Sequence, residues 1–405
     1  MIIKLGIIRE GKKPVDRRVP FTPEQTLQIV EKFPSVQVVC QQSPVRCYSD
    51  AEYHAKGIPV VHDVSDCDIL MGIKEVPVPE LIEKKTYLFF SHTMKQQPYN
   101  KKLLQTVLEK KIRLVDYEVL RDTSGNRLVA FGRYAGIVGA YNGLWAYGKR
   151  YNLFTIRRPY ECFDLEDLKT EFGKIKLPAL KIALTGSGRV GRGAMEVLDG
   201  VGIQKVGVED FLNKTFSFPV YAMLSSRDYH VHAKGHPFDR DEFHTHPERY
   251  VSDFVKFTQV ADILIAGAYW NPNAPALFTQ EDMTATAFRI KVIADISCDI
   301  NGPIPATIQA TNVDDPIYDY DPVSHTAKPP LSDEKYVTVM AIDNLPCELP
   351  RSASEDFGRD LIDRVLPALL QEDRDGIIER ATIACDGKLT PEFQYLRAYA
   401  GITSS

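Results

Sequence analysis

Short, almost wholly apolar runs alternate along the chain with segments whose apolar residues recur every three or four positions. Residues 2–8, 36–40, 68–73, 86–90 and 112–116 read as strands. Apolar on both alternating sets, they suit a parallel sheet covered on both faces. Between the first two, Thr22-Pro23-Glu24-Gln25 supplies a cap, a first-turn proline and the glutamine of a capping box; Leu27, Val30 and Phe33 then share one helical face. A long helix is predicted over residues 135–150, with Gly136, Gly139 and Gly143 near one face. Each glycine costs a helix about 1 kcal/mol, so the pattern implies another backbone packed against it, and the helix is read as bridging two domains. Residues 152–178 form a polar insertion or short helix. Strands follow at 181–184, 205–208, 262–266, 291–296 and 337–342, with a polar, His-rich loop at 228–248. Beyond Ile342, Ser352 or Ser354 is expected to cap a helix burying Phe357, Leu361, Val365 and Leu369. Two further helices are expected after it, split at Gly387 and restarting at Thr390-Pro391. Alternation of strand and helix makes the chain an α/β protein.

The strand at 181–184 runs into TGSGRVGRGAMEVL, where the apolar run breaks into glycines and resumes as a helix. Gly186, Gly188 and Gly191 fill the glycine positions of the dinucleotide-binding fingerprint: tight turn, close approach to a pyrophosphate, and close helix–strand packing. Ser187, Arg189 and Val190 complete the turn. Glu209, followed by Asp210, is read as the acid ending a second strand about 20 residues on, placed to take the adenosine ribose. That acid favours NAD(H); Arg189 and Arg192, which flank the fingerprint and could reach a phosphate, keep NADP(H) as the close alternative.

A length of 405 residues suits two domains. A net charge of −5 argues against nucleic acid as a partner, and no apolar run is long enough for a membrane span. The N-terminus lacks a signal peptide's apolar core, and seven dispersed cysteines without a CxxC pair read as reduced thiols; the expected location is the cytoplasm. His230, His232, His236, His244 and His246 include two HxH pairs, but no cysteine accompanies them and the spacing matches no common zinc site, so no metal is expected. The chain is compatible with a homo-oligomer.

In the first domain, polar groups follow apolar strands: Lys74 and Glu75 after DILMGI, His92 after TYLFFS, Glu118 after IRLVDY, with Arg17 and Arg18 in the loop after the first strand. Taken singly, a Lys–Glu pair or a histidine after a strand is an ordinary solvated or structural residue. Three such strand ends in one domain, on the side where ligands bind in open α/β sheets, predict a rim facing the cofactor domain. Lysine, histidine and carboxylate are the groups that move protons at a carbonyl or imine carbon.

RRVPFTP, MGIKEVP, FFSHTMK, RLVDYE, LVAFGRYAG, ADISCDINGPI and AIDNLPCELP, in that order, resemble the lysine-forming saccharopine dehydrogenases, while HPERYVSDF and the long loop before it are similar to the reductase half of aminoadipate semialdehyde synthase. The chain is similar above all to the lysine–2-oxoglutarate reductase half of aminoadipate semialdehyde synthase. RVPFTP, the lysine, the histidine and the glycine fingerprint are also similar to alanine dehydrogenase and the transhydrogenase α subunit. The resemblance spans about residues 5 to 365. It implies two Rossmann-like domains with mostly parallel sheets around a cleft: a substrate domain of residues 1–136 plus 343–405, and a dinucleotide domain of residues 137–342. It implies Lys74 and His92 as the acid–base pair, with Glu75 and Glu118 tuning their charge. Arg18 and Arg127 match positions that hold substrate carboxylates, and Asp343 one near the nicotinamide. The implied reaction interconverts lysine plus 2-oxoglutarate and saccharopine through an imine and a nicotinamide hydride. The alternatives are an alanine-type amino-acid dehydrogenase and, outside enzymes, a nucleotide-binding regulatory protein.

Overall fold

A computed structural model describes residues 2–402, which fall into two compact units. The first comprises residues up to Phe131 and from Pro350 on. Its strands are β1 (Ile3–Ile7), β2 (Val36–Gln41), β3 (Val60–Val61), β4 (Ile69–Met71), β5 (Thr86–Phe89), β6 (Arg113–Asp116), β17 (Thr382–Cys385) and β18 (Lys388–Leu389). They form one sheet in the order β18-β17-β6-β5-β4-β1-β2-β3. β1 to β6 are parallel; β17 joins β6 antiparallel and turns back into β18. Both faces are covered, as the unbroken apolar runs require. Met71, Leu88 and Val115 enter one buried cluster, and their strand neighbours Leu70, Tyr87 and Leu114 enter another. The helix Pro23–Lys32 starts on the expected box, with Thr22 Oγ1 accepting from Gln25 N–H and Gln25 Oε1 from Thr22 N–H.

The tail differs from expectation. The helix after residue 349 begins at Pro350, and Ser354 lies inside it, buried, accepting from Val19 N–H and donating to the Pro350 carbonyl. Neither Ser352 nor Ser354 is its cap. Phe357 and Leu361 join the buried cluster as predicted. Of the two helices expected around Gly387, the first is only Ile377–Ala381 and leads into the β17–β18 hairpin, which turns at Asp386 and Gly387, both with positive φ. The second restarts as expected, with Thr390 at the cap of a helical stretch Pro391–Leu396 that continues as Arg397–Ala400. Ile383 and Ala384 bury against the sheet's second cluster, which selects strand over helix for this stretch.

The second unit, Gly132–Leu349, also holds an eight-stranded sheet. It contains β7 (Lys181–Thr185), β8 (Gln204–Lys205), β9 (Val220–Leu224), β12 (Ile263–Ala266), β13 (Val292–Asp295), β14 (Tyr318–Asp321), β15 (Thr326–Lys328) and β16 (Val337–Met340). The order is β15-β14-β16-β13-β12-β7-β9-β8, parallel except for β14 and β15. The helix Gly132–Arg150 opens the unit, and its glycines are contact points. A Cβ on Gly136 would fall 1.9 Å from the Val190 carbonyl oxygen, one on Gly139 2.4 Å from Ile296, and one on Gly143 2.8 Å from Ala294. The domain boundaries expected at 136/137 and 342/343 lie at 131/132 and 349/350. The helix belongs whole to the second unit. So does Glu348, held there by Asn142 Nδ2 at 2.8 Å and by Arg158 Nη2, which donates to both carboxylate oxygens at 2.9 and 2.8 Å, all buried.

Two other expectations change here. The strand expected at 205–208 is only Gln204–Lys205; Gly207 caps a helix Val208–Asn213 with Glu209 and Asp210 in its first turn, where carboxylates suit the helix dipole. The His-rich stretch is folded: a helix Ser226–Tyr229 leads into β10 (His230–His232), and a helix Arg240–Thr245 lies in the connection to its antiparallel partner β11 (Tyr250–Ser252). Phe243, Tyr250 and Phe238 pack there around His230 and His232. Burial lowers the His230 pKa to about 4, so this imidazole is a neutral core residue.

Candidate functional site

In the first unit, β6, β5, β4 and β1 are consecutive neighbours, so the loops after them share one sheet edge. Glu75, past β4, ties this edge together. Its Oε1 lies 2.7 Å from His92 Nδ1, past β5, and its Oε2 2.7 Å from Lys12 Nζ, past β1. Burial pushes the Glu75 carboxyl up, but the hydrogen bonds from His92 and Lys12 outweigh it and hold the pKa at about 2. Glu75 is therefore anionic and accepts from Nδ1–H, so that whenever the His92 ring carries a single proton it sits on Nδ1 and Nε2 is the basic nitrogen. His92 itself has left-handed backbone, φ 52°, and its ring stacks on Phe90 at 6.3 Å between centroids. Non-glycine residues in that region are uncommon and concentrate at functional sites.

Lys74 is partly buried, and its backbone N–H donates to Glu10 Oε2 at 2.9 Å, while Ile73 N–H donates to Glu10 Oε1 at 2.6 Å. At the end of β6, Asp116 accepts from the Ser91 N–H and hydroxyl, and just past it Glu118 pairs with Lys95 at 3.0 Å. Arg18 is buried in a bidentate pair with Asp16, Nε to Oδ1 at 3.0 Å and Nη2 to Oδ2 at 2.6 Å, with its guanidinium 4.1 Å from the Phe131 ring centroid. Burial would raise the Asp16 pKa, yet the Arg18 charge and hydrogen bonds hold it well below the usual carboxylate range. Arg127 lies half-buried on the segment that bridges back to Arg121. Sequence reasoning missed Glu10, Lys12, Asp16 and Asp116. Glu10 was legible by the same rule that found Lys74, since it follows the first apolar strand.

Burial, and after it the Asp16 charge, push the Glu10 pKa up to about 8. A carboxyl raised in the folded state keeps a proton that the unfolded chain releases from about pH 4.5 upward, so its contribution to stability is present at low pH and is lost as pH rises toward about 8. Glu10→Gln removes that titration. The variant is expected to lose less thermal stability than the wild type between about pH 5 and pH 8; parallel melting-temperature profiles would contradict this.

In the second unit the glycine-rich turn has the geometry a pyrophosphate needs. Gly186 has φ +95°, and a Cβ there would fall 2.9 Å from the Ala268 backbone; a Cβ on Gly191 would fall 2.0 Å from the Gly186 carbonyl oxygen. Gly188 is the N-cap of the helix Arg189–Val201 and has nothing within 4 Å of its would-be Cβ. A side chain there would fill the open cradle over the helix N-terminus, where N–H groups face an anion. These residues fit a dinucleotide.

Ser187 is exposed, while Arg189 and Val190 are half-buried at the helix start. Glu209 is exposed on its helix, and Asp210 pairs with Lys214 at 2.9 Å. The strand beside β7 is β9, which the sequence reading passed over although Val220–Leu224 is a fully apolar run bounded by proline and serines. Asp343 is exposed just beyond β16. Among the described residues, no group of three or more His, Cys, Asp or Glu is arranged to hold a metal ion, and no helix is long and apolar enough to cross a membrane.

Residues 6–138 match the alanine dehydrogenase/PNT N-terminal domain. Over 97% of its length the chain is 30% identical to the mitochondrial alpha-aminoadipic semialdehyde synthase of Rattus norvegicus, of which it covers 47%. It is 27% identical to the Arabidopsis thaliana synthase, covering 41% of it. The chain thus spans about half the length of the synthases it matches. The saccharopine dehydrogenase [NAD(+), L-lysine-forming] of Yarrowia lipolytica is 28% identical, with 90% of this chain and 91% of that one aligned. Among solved structures, an L-alanine dehydrogenase superposes with a TM-score of 0.66 at 16% identity, covering 98% of this chain and 99% of that one. A transhydrogenase from Sinorhizobium meliloti superposes with a TM-score of 0.59 at 14% identity over 96% of this chain and 100% of that one, so the fold is shared with both. Residues 6–138 thus match an alanine dehydrogenase/PNT N-terminal domain, within a chain similar along nearly all its length to the lysine-forming saccharopine dehydrogenases.

Proposed function

We propose that this chain is a nicotinamide-dependent oxidoreductase that interconverts L-lysine plus 2-oxoglutarate and saccharopine. The observation that carries the reading is the His92–Glu75 hydrogen bond at 2.7 Å, set beside Lys74 at the ends of adjacent parallel strands. It is supported by relatives named as L-lysine-forming saccharopine dehydrogenases.

In the forming direction, the ε-amine of lysine adds to the keto carbon of 2-oxoglutarate, a carbinolamine loses water, and the resulting imine is reduced. The bound dinucleotide, NAD(H) or NADP(H), supplies the hydride. Addition needs a base to take a proton from the attacking nitrogen, and dehydration needs an acid to protonate the departing oxygen. His92 Nε2 takes the first role, because Glu75 holds the proton on Nδ1. Glu75 also stabilises the imidazolium that forms. Lys74, its loop clamped by Glu10, protonates the leaving hydroxyl. Glu118 lies at the same edge, paired with Lys95. Arg18 and Arg127 are the carboxylate-holding positions of this reading. Arg18 enters it already paired with Asp16, so a carboxylate it takes shares the guanidinium with that residue.

The experiment runs the reaction in reverse: the purified chain is given saccharopine and an oxidised dinucleotide. Growth of reduced-nicotinamide absorbance with equimolar release of lysine is expected. Dinucleotide binding with no turnover of saccharopine would overturn the reading in favour of a regulatory role.

A further inference from the structure

The strand order moves the adenosine end of the dinucleotide site away from Glu209. β9, not β8, is hydrogen-bonded to β7, with Thr185 opposite Leu224, and Gly186 N–H donates to the Leu224 carbonyl at 2.9 Å. The residues after Leu224 therefore lie beside the first glycine of the fingerprint. In dinucleotide-binding sheets that strand end takes the ribose 2′-position: an acid there binds the free hydroxyl, and an arginine nearby accommodates a 2′-phosphate. Glu209 is one strand further out. β8 pairs only with the start of β9, Gln204 opposite Val220 and Lys205 opposite Tyr221, and Glu209 belongs to the helix beyond.

The strand end that does meet the fingerprint reads Ser225-Ser226-Arg227-Asp228. Its one carboxylate is engaged within the turn through one oxygen: Asp228 Oδ2 accepts from the Ser225 N–H at 2.7 Å and from the Ser225 hydroxyl at 2.6 Å. Arg227 is exposed and has no hydrogen bond, ion pair or ring contact among the described residues. An engaged carboxylate and an unpaired guanidinium are the reverse of what a ribose diol needs and are what a phosphate dianion needs.

We infer that Arg227 is the residue that sets dinucleotide specificity, by pairing with the 2′-phosphate of NADP(H). The inference rests on the dinucleotide reading of the fingerprint and deepens it. Binding is measured calorimetrically on the full chain with 2′,5′-ADP and with 5′-AMP, which differ only in the 2′-phosphate, and by fluorescence titration with NADPH and NADH. Arg227→Ala should weaken 2′,5′-ADP and NADPH by about tenfold or more, as loss of a charge-assisted contact does. It should leave 5′-AMP and NADH within about threefold, and Glu209→Gln should change none of the four. An unchanged NADPH-to-NADH ratio in Arg227→Ala, or a ratio shifted by Glu209→Gln instead, overturns the assignment while leaving the dinucleotide site standing. Failure of the wild type to bind either nucleotide overturns both.

Discussion

Replacing Lys74 with Met should lower turnover by about 100-fold or more, with dinucleotide affinity unchanged. A positioned acid or base contributes about 10²- to 10⁴-fold, and Met keeps the length of the side chain while removing its proton. The fingerprint belongs to the other unit, so nucleotide binding has no reason to move. His92→Gln should be milder but still damaging, because Gln can accept a hydrogen bond at one end yet cannot carry a proton between steps. The backbone at Lys74 is held by Glu10 through its N–H, which no side-chain replacement removes, so the loop should keep its place. Steady-state kinetics alongside a fluorescence titration separate the two effects. Near wild-type turnover in both variants would remove Lys74 and His92 from the chemistry.

Two alanine substitutions in the fingerprint should fail in different ways. At Gly191 the added Cβ would sit 2.0 Å from a backbone oxygen, which no flexible side chain can yield to, so the strand–turn–helix junction must open. Gly191→Ala should lose both measurable dinucleotide binding and thermal stability. At Gly188 the added Cβ meets nothing within 4 Å, so Gly188→Ala should melt like the wild type. If the pyrophosphate passes over that glycine, its affinity should still fall about tenfold or more. A Gly188→Ala variant with wild-type affinity would mean that the open cradle over the helix N-terminus is not where a dinucleotide lies.

What the sequence made legible was local or strictly periodic. The Thr22–Gln25 box, the apolar strands β1, β4, β5 and β6, and the polar residues just past them could be read from a few neighbouring positions, because parallel strands buried on both faces leave long apolar runs. The glycines at 136, 139 and 143 announced a close backbone without naming it; the structure supplies the Val190 carbonyl for the first of them. What failed was non-local. That β9 rather than β8 sits beside β7 is a matter of strand order, and nothing within residues 204–210 reveals it. The valines at 206 and 208 look like alternation, while Gly207 followed by Glu209 and Asp210 is a helix start. The β17–β18 hairpin escaped for the same reason: residues 382–389 become strand by pairing with β6, more than 250 residues earlier in the chain. In the rim, the strand-end rule located Lys74, Glu75, His92 and Glu118, but the pairing of Arg18 with Asp16 depends on a loop conformation that spacing does not encode.

The central claim is that the polar edge of the first unit joins lysine to 2-oxoglutarate. The direct measurement is a side-by-side assay of reduced-dinucleotide consumption, with lysine plus 2-oxoglutarate in one arm and ammonia plus pyruvate in the other, each with NADH and with NADPH. In the proposed reading Arg18 and Arg127 meet the several carboxylates of lysine and 2-oxoglutarate, whereas pyruvate brings only one and forgoes contacts to a charged group worth about 1.5–3 kcal/mol each. Lysine plus 2-oxoglutarate should therefore be consumed far faster, with saccharopine as the product identified by mass. Faster consumption of ammonia and pyruvate would contradict the account and make the chain an alanine-type dehydrogenase.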